Sequence, residues 1–270
     1  MTHNSPSLHP NSFKKALLNS QPQIGLWSAL CSNIAAEIIS QAGFDWIVLD
    51  GEHAPNEVPG ILLQLQAMAN GTAEPVVRCP WNDPVIIKRV LDIGGRSLLI
   101  PFVQDVQQAR QAVAATRYPP LGIRGVSVAP RANLYGRVPN YHANAHEDIC
   151  VIVQVETQAA LGQIGEIANV DGVDGIFIGP SDLAADLGHL GDSRHPTVQN
   201  AIADSCSGIR ATGKAAGILT SDPKDALRYL EMGFTFVAVG SDVGILVQGT
   251  TTLSQLCKRP FAIVGNGQLD

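Results

Sequence analysis

Long apolar runs, paired cysteines and basic blocks are all missing from this 270-residue sequence. No stretch approaches the ~20 apolar residues of a membrane span, so no transmembrane segment is expected. Residues 1–20 lack the compact basic-then-apolar order of a secretory signal. The five cysteines, Cys31, Cys79, Cys150, Cys206 and Cys257, are odd in number, widely spaced and without a C-x-x-C pair. That spacing argues against a disulfide framework and a zinc cluster, and predicts reduced thiols in a cytoplasmic protein. Acids outnumber bases by 24 to 18 with no basic cluster, which disfavours a nucleic-acid partner. The phosphate loop G-x-x-x-x-G-K, the dinucleotide fingerprint G-x-G-x-x-G and the serine-hydrolase elbow G-x-S-x-G are absent too.

What is present is a large apolar fraction, 45%, punctuated by 26 glycines and 17 prolines, enough for a sizeable core joined by many turns. Eight apolar runs of strand length recur: IGLWSAL (24–30), WIVLD (46–50), PVVRC (75–79), SLLIPF (97–102), CVIVQVE (150–156), GIFIG (175–179), AAGIL (215–219) and FTFVAVG (234–240). Most are continuous rather than alternating, as in parallel strands covered on both faces. Helical spacing marks the stretches between them, such as 34–43, 85–94, 106–117 and 223–233, several closed by glycine. Strand and helix repeated eight times predict a single (β/α)8 barrel over 21–270, C-terminal extension included, with an open doubly wound sheet as the alternative. Residues 1–20 are read as a polar tail with an entry helix near 12–19. The connection over 103–149 is disproportionately long, and is expected to form a lid or substrate wall.

In such a barrel the chemistry belongs at the C-terminal strand ends. The second run ends in Asp50-Gly51-Glu52-His53, the third in Arg78, the fifth in Gln154 and Glu156, the sixth in Gly179-Pro180-Ser181-Asp182. Packing alone gives core strands no reason to end in acid, base and guanidinium together. Glu156 and Asp182, at adjacent ends, could share a small cation such as Mg2+ or Mn2+, or simply favour the starts of the helices that follow them. His53, flanked by two acids, is suited to general-base work, and Arg78 to holding an oxyanion or carboxylate. None of the six lysines sits at a C-terminal strand end, which disfavours Schiff-base chemistry. Two other readings stay open: an acyl-CoA enzyme with Arg124, Arg131 and Arg137 as phosphate contacts, and a barrel kept as an assembly module.

Seven stretches carry a resemblance: GFDWIVLDGEHAPN, PVVRCPWNDPVIIKRVLDIG, LLIPFVQ, ATRYPPLGIRGVS, VQVET, GVDGIFIGPSDLAADLGHLG and FVAVGSD. Across residues 22–250 the chain resembles the metal-dependent (class II) pyruvate aldolases of the HpcH/HpaI family. GVSVAPRANLYG, GPSDLAADLGHLG and AVGSDVG look most like the branch acting on 2-dehydro-3-deoxyglucarate, then the branch acting on 4-hydroxy-2-oxoheptanedioate. The resemblance implies that Glu156 and Asp182 hold a divalent metal, Mg2+ with Mn2+ or Co2+ as substitutes. It further implies His53 as acid/base, Arg78 on the developing oxyanion, Gln154, Ser181 and Asp182 on the pyruvate unit, and Asp92 raising the basicity of His53. A 2-oxo acid and an aldehyde would be the small-molecule partners. Relatives of this kind are hexamers that exchange a C-terminal helix; here the segment after Gly249 is less helical in pattern. Within the long connection, Arg124, Ser127, Arg131 and Asn133 would choose the aldehyde.

Overall fold

β1 pairs with both β2 and β8, so the sheet has no edge. In the computed structural model, which describes residues 8–258, eight parallel strands close in sequence order. They are β1 (Gln23–Ser28), β2 (Trp46–Asp50), β3 (Glu74–Arg78), β4 (Ser97–Ile100), β5 (Cys150–Val155), β6 (Gly175–Ile178), β7 (Ala215–Thr220) and β8 (Phe236–Ser241). The predicted (β/α)8 barrel is what forms, and closure overturns the open-sheet alternative. Among the described residues, no helix is long and apolar enough to cross a membrane.

Each strand turns alternate side chains to opposite faces. Outward residues such as Ile47, Leu49, Val77, Leu98, Val151, Val153 and Ile176 pack beneath the helices. Inward residues, among them Trp27, Trp46, Val48, Val76, Leu99, Ile152, Phe177 and Phe236, fill the barrel. Both faces are therefore apolar, which is why the strands read as continuous runs. Two glycines make room for the inner rings. A Cβ on Gly25 would lie 2.3 Å from Trp46, and one on Gly217 would lie 2.1 Å from Phe236.

The entry helix is Ser12–Leu18, capped by Asn11, whose side chain accepts from the Lys14 N–H. It does more than lead into the barrel. Phe13 is fully buried, with its ring 5.4 Å from that of Trp46 and 5.8 Å from that of Phe236. The helix closes the N-terminal mouth, with Asn11 Nδ2 donating to Ser97 Oγ at the start of β4. Most of the polar tail, residues 1–7, lies outside the described residues.

Two expectations are corrected. The connection before β5 is not one open lid: it holds helices Val106–Thr116 and Tyr141–Asp148 and a short turn at Arg131–Asn133. Helix Pro84–Asp92 runs back from the C-terminal mouth, so its last residues lie toward the opposite end. There Arg124 pairs with Asp92 at 2.7 Å and Arg131 Nη1 donates to the Ile93 carbonyl. The connection is thus drawn to the end of the barrel away from the expected chemistry. The segment after β8, read as weakly helical past Gly249, is helix Asp242–Cys257, capped by the Ser241 hydroxyl. Residues 259–270 of the C-terminal extension lie outside the described residues.

Filling the space beside Phe236 should be costly. Gly217→Ala is expected to lower unfolding free energy by about 1–3 kcal/mol in urea titration, whereas Gly165→Ala, where a Cβ meets nothing within 4 Å, should be neutral or stabilising. Equal effects would contradict the role given to Gly217.

Candidate active site

The two-residue period that fills the barrel also builds its polar end. On β2 the inward series Trp46, Val48 continues to Asp50; on β3 Val76 leads to Arg78; on β5 Cys150 and Ile152 lead to Gln154. Asp50 and Arg78 are register partners across β2 and β3, so their side chains meet. Arg78 Nε and Nη2 donate to the two Asp50 oxygens at 2.8 and 2.6 Å, and Nη1 lies 2.8 Å from Glu52 Oε2. The guanidinium carbon sits 4.8 Å from the Trp27 ring centroid, and Trp27 Nε1 donates to Asp50. Asp50 also accepts from the N–H groups of Glu52 and His53, shaping the turn that carries the histidine. Burial would push the Asp50 carboxyl up, but the hydrogen bonds and charge of Arg78, together with the N–H bonds from Glu52 and His53, outweigh it and hold it below the usual range.

His53 projects into the open mouth, its side chain 66% exposed, with Nε2 4.0 Å from Glu52 Oε2. Across the mouth, Gly179 leads into helix Pro180–Asp186, with Ser181 and Asp182 in its first turn. A Cβ on Gly179 would come 2.3 Å from Glu156 Oε2, so only glycine leaves that carboxylate its space. Glu156 is buried, accepting from the Phe102 N–H at 3.1 Å and from Gln154 Nε2 at 2.5 Å. Burial raises its carboxyl to about 7, against the Gln154 hydrogen bond and with added repulsion from Asp182 and Glu52. Burial likewise raises Glu52, partly offset by Arg78.

Trp27, Asp50, His53, Arg78, Gln154, Ser181 and Asp182 line one cavity of about 860 Å3 at this mouth. Glu156 does not line it; its carboxylate is buried behind Gly179 and Gln154, which do. Asp92 is not brought to His53 within the chain; it lines no part of this cavity and is held by Arg124. The expected selectors Arg124, Ser127, Arg131 and Asn133 do not line it either. Arg124 is 1% exposed and Asn133 is buried, donating to the Val128 carbonyl, so the basic contacts of an acyl-CoA reading are not assembled here. Three contributions went unread in the sequence: the Asp50 clamp on Arg78, the clearance at Gly179, and Arg194, which reaches the cavity from the loop after helix Pro180–Asp186. The strand register alone could have signalled the first.

Among the described residues no group of three or more His, Cys, Asp or Glu could close around a metal ion. Glu156 and Asp182 offer two hard oxygen donors, a set that fits a cation keeping positions for water and substrate. The raised Glu156 carboxyl and the buried, unpartnered Oε1 of Gln154 are also what a site short of positive charge would show.

A carboxyl raised in the folded state keeps its proton longer there than in the unfolded chain. Its ionisation therefore costs stability as pH climbs from the ordinary carboxylate range to about 7. In chelator, the Tm of Glu156→Gln minus that of the native protein should become more positive from pH 5 to pH 8, by roughly 2–5 °C. A difference flat in pH would contradict this electrostatic account.

The family model described as HpcH/HpaI aldolase/citrate lyase matches residues 23–249. A 4-hydroxy-2-oxo-heptane-1,7-dioate aldolase of Klebsiella pneumoniae is 55% identical over 90% of this chain and 92% of its own. A 5-keto-4-deoxy-D-glucarate aldolase of Enterobacter sp. is 53% identical over 94% of this chain and all of its own. The crystal structure of an HpcH/HpaI aldolase/citrate lyase family protein from Burkholderia cenocepacia superposes with a TM-score of 0.89 at 40% identity, covering 92% of this chain and all of that one. With the family model spanning the whole barrel and relatives more than half identical, the protein belongs to the HpcH/HpaI aldolase/citrate lyase family and is a carbon–carbon lyase.

Proposed function

We propose that the protein cleaves 4-hydroxy-2-oxo acids reversibly to pyruvate and an aldehyde, with 2-dehydro-3-deoxy-D-glucarate as substrate and tartronate semialdehyde as the second product. The observation that carries this reading is the single cavity shared by His53, Arg78, Gln154, Ser181 and Asp182, with Glu156 buried behind its lining residues Gly179 and Gln154. No lysine lines that cavity, which favours a mechanism without an imine.

Glu156 and Asp182 would hold a divalent cation, Mg2+ in the first instance, which when bound supplies electrophilic polarisation of the 2-oxo group. Ser181, at the second helical position, offers an N–H without an intrahelical acceptor to the substrate carboxylate, and Gln154 orients the same three-carbon unit. His53 takes the proton from the 4-hydroxyl, directly or through water. As the C3–C4 bond breaks, its electrons pass to the 2-oxo oxygen; Arg78, aimed by Asp50, stabilises the charge that develops there. Proton return to C3 gives pyruvate.

The relatives carry both substrate names at nearly equal identity, so identity does not choose between them. The outer cavity wall includes Ser193, Thr220, Ser221 and Ser241, which supports a hydroxylated aldehyde. Helix Asp242–Cys257 exposes Val243, Ile245, Leu246, Val247, Leu253 and Leu256, which supports a homo-oligomer, a hexamer by resemblance. Asp92 would reach His53 only from a neighbouring copy in such an assembly. Five unpaired thiols support a reducing, cytoplasmic setting.

Pyruvate release from a panel of 2-oxo acids tests the reading. Release should vanish in chelator, return with Mg2+, Mn2+ or Co2+, and be abolished by Glu156→Gln or Asp182→Asn. Full activity in chelator would overturn it; a higher kcat/KM for 4-hydroxy-2-oxoheptanedioate would overturn the substrate alone. The division of labour has its own check. His53→Ala should slow cleavage by roughly 10²–10⁴-fold and slow deuterium exchange at the pyruvate methyl much less, while Arg78→Ala should damage both. Equal loss of cleavage and exchange in His53→Ala would refute the assignment of the 4-hydroxyl proton to His53.

A further inference from the structure

The cavity is far larger than a three-carbon acid requires, and the guanidinium in its outer lobe, beside the hydroxyls that support a hydroxylated aldehyde, has no part in the chemistry above. That lobe runs over the ends of β7 and β8 and is lined by Ser193, Arg194, Gln199, Thr220, Ser221 and Tyr229. Resting on the aldolase reading, we propose that this lobe receives the aldehyde half of the substrate, and that Arg194 recognises a carboxylate at its far end.

Among the described residues, Arg78 and Arg194 are the only guanidinium groups lining the cavity. Arg78 has all three of its nitrogens engaged by Asp50 and Glu52 and belongs to the pyruvate half. Arg194 is tethered on one side only. Its Nη2 donates to Asp222 at 2.6 Å and to Asp225 at 2.9 Å, and its Nε donates to Asp225 at 3.2 Å. Nη1 makes no hydrogen bond among the described residues. Both carboxylates stand at the start of helix Pro223–Met232, so they aim the guanidinium and reduce the freedom it would lose on binding. The loop carrying Arg194 is braced as well, since Gln199 Nε2 donates to the Ser193 carbonyl and to the Tyr229 hydroxyl.

The local charge makes the residue decisive for an anionic aldehyde. Asp182, Asp192 and Asp225 line the same cavity, so a carboxylate entering the lobe meets neutral hydroxyls and amides, three acids and, as its one cation among the described residues of the lobe, Arg194. Without Arg194, Asp222 would lose its ion-pair partner and Asp225 would keep only Arg228, so the carboxylate would be repelled further. A neutral aldehyde would feel neither change. This is selection by attraction and repulsion together, and a purely structural role for Arg194 would not separate charged from neutral substrates.

The test is aldol addition of pyruvate to succinate semialdehyde and to butanal, the neutral aldehyde of equal carbon count. The native enzyme should favour the semialdehyde. In Arg194→Gln the ratio of kcat/KM, semialdehyde over butanal, should fall by about 3- to 10-fold, the worth of a charge-assisted hydrogen bond screened by solvent at a side chain 66% exposed. Arg194→Lys, which keeps the charge without the fork, should recover part of it. A ratio unchanged in Arg194→Gln, or a common fall for both aldehydes, would overturn the proposal while leaving the aldolase reading intact. If the native protein added neither aldehyde and released no pyruvate, the aldolase reading would fall first, and this proposal with it.

Discussion

The registration of Asp50 against Arg78 is the constraint on which the site depends. Parallel pairing of β2 with β3 sets the two residues side by side at the open end of the barrel, and the alternation of each strand turns both inward. Their two-point ion pair is nearly sealed from water. Such pairs seldom add much stability, because desolvation offsets the attraction. What this one provides is direction. A guanidinium clamped by Asp50, touched by Glu52 and backed by Trp27 is fixed before any ligand arrives, so little reorganisation is left for the moment of reaction.

The rest of the barrel supplies rigidity below and charge above. Phe13, Trp46 and Phe236 fill the closed mouth, where only Gly25 and Gly217 leave enough room for the rings. At the open mouth the same inward positions become Asp50, Arg78 and Gln154. Glu156 is buried among other acids with its carboxyl raised to about 7, an arrangement that costs stability in the empty protein. A buried carboxyl raised in this way beside a cleft is a mark of a functional site rather than of packing.

Much of this was legible in the sequence because both signals are local. Continuous β-branched runs announce strands covered on two faces, and all eight strands stand where those runs lie. Polar residues ending such runs announced Arg78 and Gln154, in phase with the inward set, and those just past the runs announced His53, Ser181 and Asp182 at the mouth, with Glu156 beside them. The failures share one cause, which is that contacts between distant segments leave no local pattern. The long connection reads as a lid by length alone, yet Arg124 is drawn to Asp92, 32 residues earlier and toward the other end of the barrel. Arg194 looks like an ordinary loop charge until Asp222 and Asp225 are seen to aim it. The absent side chain of Gly179 has meaning only once Glu156 stands beside it.

A crystal structure of the protein with pyruvate and Mg2+ tests the central claim most directly. The account predicts an Arg78 nitrogen within hydrogen-bond distance of the pyruvate 2-oxo oxygen while Asp50 still holds the guanidinium, and the cation ligated by Glu156 and Asp182. Pyruvate bound away from Arg78, or an Arg78 released from Asp50 to reach it, would contradict the claim that this ion pair pre-sets the site.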